Sequence, residues 1–166
     1  MIAIHLATPD DAAIIRVLAE TIWWPTYMPI ISPGHIRYML DSIYELDKIE
    51  QQISNGEQTY LLLTEDGEPK GFAAYAALPD DESVIKVHKL YCLPEAQGQG
   101  YGRMLINAVE QALAEAGKTV MELNVNRNNP AVKFYEKMGF GIVKSEDIEI
   151  GKGFILNDYV MRKSIS

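Results

Sequence analysis

A single cysteine, Cys92, rules out an internal disulfide framework, and a reducing interior suits such a chain. No apolar run approaches the ~20 residues that a membrane span needs. The start, Met1-Ile2-Ala3-Ile4-His5, lacks a basic region followed by a long apolar one, so no signal peptide is expected and the protein reads as cytoplasmic. The three histidines, His5, His35 and His88, are scattered without ligand spacing, which argues against zinc, and no metal is expected. Positive charge is scarce: 15 basic residues face 23 acidic ones, a formal charge of −8. That field repels nucleic acid and anionic membrane surfaces and favours cationic partners, although solubility alone would also account for it. Repeats, low-complexity tracts and linkers are missing too.

The 166 residues suffice for one full core and are too few for two ordinary domains, so one domain over 1–166 is expected. A composition of 48% hydrophobic and 23% charged residues excludes disorder as the dominant state. Residues 2–7 alternate as a short strand. Thr8-Pro9-Asp10-Asp11 reads as a capped helix start, and the apolar face of Ile14, Ile15, Leu18 and Ile22 carries that helix to about Trp23, where Pro25 ends it. Residues 23–31 then read as a loop with unusual apolar area. Trp23, Trp24 and Tyr27 either cap the core or form a wall for an acceptor, since aromatic faces also bind cations. Ser32-Pro33 opens a second helix through Tyr44, and residues 46–55 form a third, closed by Gly56.

From Thr59 the period changes to two. Residues 60–64 and 71–76 are predicted strands joined by a tight hairpin at Glu65-Asp66-Gly67-Glu68, and residues 84–92 make the next strand. Its end, Leu90-Tyr91-Cys92, leads through Pro94 and the glycines Gly98, Gly100 and Gly102 into a helix. The helix is announced by Met104, Leu105, Ala108, Val109, Ala112, Leu113 and Ala116, which lay down one apolar stripe. Such a turn lets backbone N–H groups approach a ligand where the helix dipole is positive, which makes a phosphate cradle. A nucleotide P-loop fails, because Gly102-Arg103-Met104 stands where Gly-Lys-Ser/Thr is required. A dinucleotide fingerprint would begin at Gly98 and Gly100 with Glu122 as its acid, but Arg103 occupies the third glycine's place. A bland strand-to-helix turn is the remaining alternative. Downstream lie a strand over 119–125, a short helix capped by Asn128 or Asn129 and closed by Gly139, and a hairpin of 141–150 with 154–163. Hairpin-joined strands with one parallel crossover give an α+β mixed sheet of six to seven strands flanked by helices.

Gln97-x-x-Gly100-x-Gly102, following that strand, resembles the acetyl-CoA-binding motif of the GCN5-related N-acetyltransferase (GNAT) superfamily. Asn128-x-x-Ala131-x-x-Phe134-Tyr135-x-x-x-Gly139-Phe140 resembles a later motif of the same superfamily. Together they span residues 86 to 140 in the family's order. Residues 21–44 are more loosely similar to the bacterial spermine/spermidine acetyltransferase branch. The resemblance implies the GNAT fold, with acetyl-CoA wedged where two central strands splay apart, and a small-molecule amine acceptor. It also allows a homodimer, which no residue specifies.

The resemblance further implies that backbone N–H groups of Gln97, Gly98, Gln99, Gly100, Tyr101 and Gly102, with Arg103 beside them, hold the cofactor's pyrophosphate. The backbone at Leu90, Tyr91 and Cys92 would flank the pantetheine arm and polarise the thioester carbonyl. Asn128 matches a cofactor-contacting asparagine, and Tyr135 a tyrosine that protonates the leaving thiolate. Phe134, with Ala131 and Met138 at helical spacing, reads as core, with Tyr135 pointing elsewhere. For the general base His88, two positions from Lys86 on one strand face, is the titratable candidate, against an ordinary structural histidine; Glu95, Asp80, Asp81 and Glu82 remain open. His88 and Cys92 stand roughly 13 Å apart at about 3.3 Å per residue, so they form no dyad, and Cys92 reads as a packed cysteine. The resulting reading is an N-acetyltransferase acting by direct transfer in a ternary complex, with polyamines the first acceptor class. An acyl-CoA-binding regulator without turnover is the alternative.

Overall fold

The computed structural model describes residues 1–94 and 98–165. Strand β1 (Ile2–Leu6) and a 3-10 turn (Pro9–Asp11) precede three helices, α1 (Ala12–Tyr27), α2 (Pro33–Ile43) and α3 (Leu46–Ser54). Then come β2 (Thr59–Glu65), β3 (Glu68–Leu78), β4 (Asp81–Cys92), α4 (Tyr101–Glu115), β5 (Val120–Asn126), α5 (Ala131–Lys137), β6 (Gly141–Gly151) and β7 (Phe154–Ser164). The strands form a seven-stranded sheet in the order β1-β2-β3-β4-β5-β7-β6, the expected α+β mixed sheet. Its parallel register pairs Val84–Val87 with residues 120–123, joined through α4, while β1 with β2, β2 with β3, β5 with β7 and β6 with β7 run antiparallel. Among the described residues, no helix is long and apolar enough to cross a membrane.

Two compact units divide the chain. The first comprises residues 1–76 and 89–109, and the second residues 77–88 and 110–166. In the first unit, Ile15, Ala19, Ile36 and Ile49 of the helices and Leu63, Phe72 and Ala73 of the strands are completely buried. The β2–β3 hairpin turns at Asp66 and Gly67, with φ of 53° and 85°. An aspartate followed by glycine tolerates that left-handed pair, as the sequence predicts. In the second unit, β5 buries Met121 and Leu123, and β7 buries Val160 and Met161.

One expectation fails in α1, which continues through Pro25 to Tyr27 rather than ending near Trp23. Proline deletes one N–H and crowds the carbonyl a turn earlier. Here the Thr26 hydroxyl bonds the Ile22 carbonyl at 2.7 Å, and the Thr21 hydroxyl the Val17 carbonyl at 2.9 Å. Trp23, 4% exposed, gives the last turns a packed face that outweighs the lost bond. The segment read as an aromatic loop is therefore helical up to Tyr27.

Gly71 of β3 is required for a different reason than a turn. A Cβ built there would lie 2.8 Å from the Tyr91 carbonyl oxygen and 3.1 Å from the Cys92 sulfur on β4. Gly71→Ala should therefore destabilise the fold by about 1–3 kcal/mol, the usual cost of overpacking. The urea midpoint measures it, and an unchanged midpoint would show that β4 yields freely.

Candidate active site

In the first unit the turn before α4 uses left-handed glycine backbone. Gly98 and Gly100 hold φ of 88° and 82°, and among the described residues a Cβ built at either meets nothing within 4 Å. Glycine is thus demanded by the backbone, and the space beyond the turn is open. Helix α4 starts at Tyr101, and its first turn closes when the Met104 N–H bonds the Gly100 carbonyl at 3.0 Å. The earlier N–H groups have no intrahelical acceptor and sit at the positive end of the dipole. Gln99 and Arg103 are exposed, while Tyr101 is 4% exposed and its hydroxyl donates to the Glu65 carboxylate. Gln97 and Glu95 lie outside the described residues.

Behind the end of β4 stands a group of rings from α1, the residue that ends α2, β3 and β4. Trp23 lies 4.5 Å from Tyr27 and 5.7 Å from both Tyr44 and Tyr91, centroid to centroid, and Phe72 lies 5.9 Å from Tyr91. The Tyr27 and Tyr91 hydroxyls meet at 3.0 Å, and the Trp23 indole N–H donates to the Tyr44 hydroxyl. Arg37 lies over the Trp24 ring at 5.9 Å while pairing with Glu20 at 2.6 Å. Trp23 is buried and Trp24 already faces a cation of the chain, so of the three candidate wall residues Tyr27 is the half-buried one with its hydroxyl beside β4. Leu90, Tyr91 and Cys92 are themselves half-buried. Burial pushes the Cys92 thiol up to about 11, so it stays protonated at neutral pH and behaves as the packed cysteine expected.

Sequence reasoning missed Lys89. It is 5% exposed; its ammonium nitrogen lies 2.9 Å from the Gln58 amide oxygen and 2.7 Å from the Tyr60 hydroxyl, and 4.9 Å from the Tyr60 ring centroid. A lysine alternating with Leu90 and His88 gives no sign of this, because its partners come from β2 and the loop before it.

In the second unit, polar residues alternate along β5. Lys86 of β4, Glu122 of β5 and Arg162 of β7 stand in one row, and Glu122 accepts from Arg162 at 2.8 Å. Asn126, Asp158 and Glu146 form a second row. Asp158 is 7% exposed, the Asn124 amide donates to it at 3.4 Å, and burial raises its pKa. The polar alternation Glu122, Asn124, Asn126 in an apolar strand is the signal that could have found this face. His88 is exposed on β4. Asp81, the first residue of β4, accepts from the Ser83 N–H at 3.1 Å and hydroxyl at 2.6 Å, so its carboxylate is taken up locally; Asp80 and Glu82 are exposed. Tyr135, not Phe134, is the buried aromatic of α5: it is 8% exposed and packs edge-on to Phe140 at 5.7 Å, while Phe134 is half-buried. The N-cap of α5 is Pro130 rather than either asparagine; Asn129, just before it, accepts the Ala131 N–H at 2.9 Å, and Asn128 is exposed.

A mixed α+β sheet in which a glycine turn opens the helix after β4 is the class of fold to which the comparisons with known proteins give a family. The sequence model of the acetyltransferase (GNAT) family matches residues 19–140, so the chain belongs to that family. An uncharacterized N-acetyltransferase of Mycobacterium bovis is 28% identical over 138 residues, 82% of this chain and 86% of the relative. The peptidyl-lysine N-acetyltransferase YjaB of Salmonella typhimurium is 32% identical over 113 residues, 68% of this chain and 70% of the relative. The PaiA N-acetyltransferase of Thermoplasma acidophilum, solved in complex with coenzyme A, shares the fold with a TM-score of 0.85 at 23% identity, over 99% of each chain. The protein is thus an acetyl-CoA-dependent N-acetyltransferase by family.

Lys89 carries a pH dependence. Burial drives its pKa from 10.5 down to about 7, while the two acceptors and the ring faces work in the opposite direction. Between about pH 7 and 10 the unfolded chain keeps a proton that the folded chain has released, so stability rises with pH by up to about 1.4 kcal/mol per unit; below 7 both states are protonated and that gain is gone. Lys89→Met should flatten this rise between pH 7 and 9. Urea unfolding of both proteins at the two pH values checks it, and equal slopes would mean that Lys89 stays charged.

Proposed function

We propose that the protein moves an acetyl group from acetyl-CoA directly to the primary amine of a small cationic acceptor, with both substrates bound together. The observation that carries this is the turn of Gly98 and Gly100 opening α4 in a chain of the acetyltransferase family. Left-handed glycines without Cβ atoms leave room for a pyrophosphate, so the N–H groups of 98–103 are the residues that would hold it, with Asn128 as a further contact. When bound, acetyl-CoA supplies an activated thioester. In this mechanism, the backbone of Leu90, Tyr91 and Cys92 orients the donor, His88 takes a proton from the acceptor's ammonium nitrogen, and the Tyr135 hydroxyl releases its proton to the leaving sulfur. Tyr27, with its hydroxyl against Tyr91, offers the acceptor a ring face and an oxygen. Gly100→Glu should abolish acetyl-CoA binding in calorimetry on folded protein, because a carboxylate would take the pyrophosphate's place; retained affinity would end the cradle assignment. Tyr135→Phe should lower turnover about a hundredfold with cofactor affinity nearly intact. A mutant as fast as the parent would make Tyr135 a packing residue.

Polyamines are the first acceptor class, supported by the charge of −8 and by the similarity of residues 21–44 to the polyamine branch. The YjaB relative supports a second reading, a peptidyl lysine. Spermidine and a lysine side chain both end in an aminobutyl group, so an assay with spermidine, a lysine peptide and a neutral amine separates the readings. Steering by the acidic surface predicts that kcat/KM for spermidine falls as the Debye length shrinks from about 30 to 8 Å, while a neutral amine shows little change. Turnover of the neutral amine alone would exclude both cationic acceptors.

A further inference from the structure

A turn built on Gly98 and Gly100 has no side chains of its own at those positions to hold it, and a Cβ there would touch nothing among the described residues. Left alone, such a segment samples many backbone conformations, and each must be lost when a ligand is bound. The next residue changes this. Tyr101 opens α4 with a ring that is 4% exposed, in contrast to the exposed Gln99 and Arg103 on either side. Its hydroxyl donates to the carboxylate of Glu65, the last residue of β2, and this partner drives the Tyr101 pKa up to about 12, so the donor keeps its proton at every physiological pH. Glu65 is itself held by the strand, as the register partner of Ile2 on β1 and of Glu68 on β3. The first turn of α4 is thereby tied to the sheet within the first unit at the position between the two motif glycines, Gly100 and Gly102.

We propose that Tyr101 is a positioning residue for acetyl-CoA: through Glu65 its hydroxyl fixes the bare backbone of the glycine turn in the conformation that receives the pyrophosphate. The proposal rests on the cradle reading above. It predicts a defect confined to donors that carry the pyrophosphate. Tyr101→Phe keeps the buried ring and removes only the tie, and should weaken coenzyme A binding about three- to tenfold, the scale of one hydrogen bond. Glu65→Ala should do the same, Glu65→Gln should restore near-parental binding because an amide oxygen still accepts the hydroxyl, and the double variant Tyr101→Phe/Glu65→Ala should be no weaker than either single one. Calorimetry with coenzyme A measures all four. Pantetheine, which lacks the pyrophosphate and is titrated by NMR, should bind parent and variants equally.

A merely structural tie would weaken both ligands together, and that result overturns the proposal. So does coenzyme A binding unchanged in Tyr101→Phe, or additive losses in the double variant. Should Tyr101→Phe fail to fold, the contrast of Glu65→Ala with Glu65→Gln decides alone: equal affinities sink the tie. Failure of the cradle reading looks different, because Gly100→Glu would then bind coenzyme A as well as the parent. If only the tie is wrong, Gly100→Glu loses binding while Tyr101→Phe keeps it.

Discussion

Backbone that is to be offered to an anion cannot also be covered by its own side chains, and the cradle proposed in the first unit meets that constraint with glycines. The turn at Gly98 and Gly100 is bare on its open side. The helix beyond the turn is anchored: Leu105, Ile106 and Val109 of α4 are completely buried, and Tyr101 is nearly so. The strand before the turn is held just as closely, with the Leu93 N–H bonded to the Lys70 carbonyl at 2.8 Å and Gly71 admitting no side chain against Tyr91 and Cys92. The described backbone before the turn and the helix after it are thus both held in place. Preorganisation of this kind lowers the entropy lost on binding more effectively than any added contact.

Burial also extends to groups whose charge makes it costly. Lys89 is enclosed with neutral oxygens as its acceptors, and Asp158 with an amide as its donor. Desolvation pushes both toward their uncharged forms, down for the lysine and up for the aspartate. Residues so perturbed are more frequent at functional sites than in ordinary cores. Glu122 shows the other solution, a buried carboxylate neutralised at 2.8 Å by the exposed Arg162.

Much of the fold was legible because its signals are local. The glycines of the cradle, the Asp66-Gly67 hairpin, the Ser32 cap that accepts the His35 N–H at 3.1 Å and the apolar stripe of α4 each declare themselves within a few residues. The failures share one cause. Pro25 is a local stop signal overridden by the packing of Trp23 against Tyr44 and Tyr91, which a window of neighbours does not contain. The partners of Lys89, Gln58 and Tyr60, lie 31 and 29 residues away. Tyr101 sits in full view inside the motif, but its tie to Glu65 spans 36 residues, so its role waits for the register of β2.

The same distinction governs the chemistry. A seven-residue helix such as α5 shows its period for barely two turns, so the spacing of Ala131, Phe134 and Met138 cannot say which side faces inward. Docking decides it, and it buries Tyr135 against Phe140, leaving Phe134 only half covered. Surroundings that exclude water strengthen the hydrogen bonds made within them. The acid role proposed for Tyr135 is therefore not opposed by its burial, because proton transfer to a sulfur atom gains from the dry surroundings that a core residue also needs.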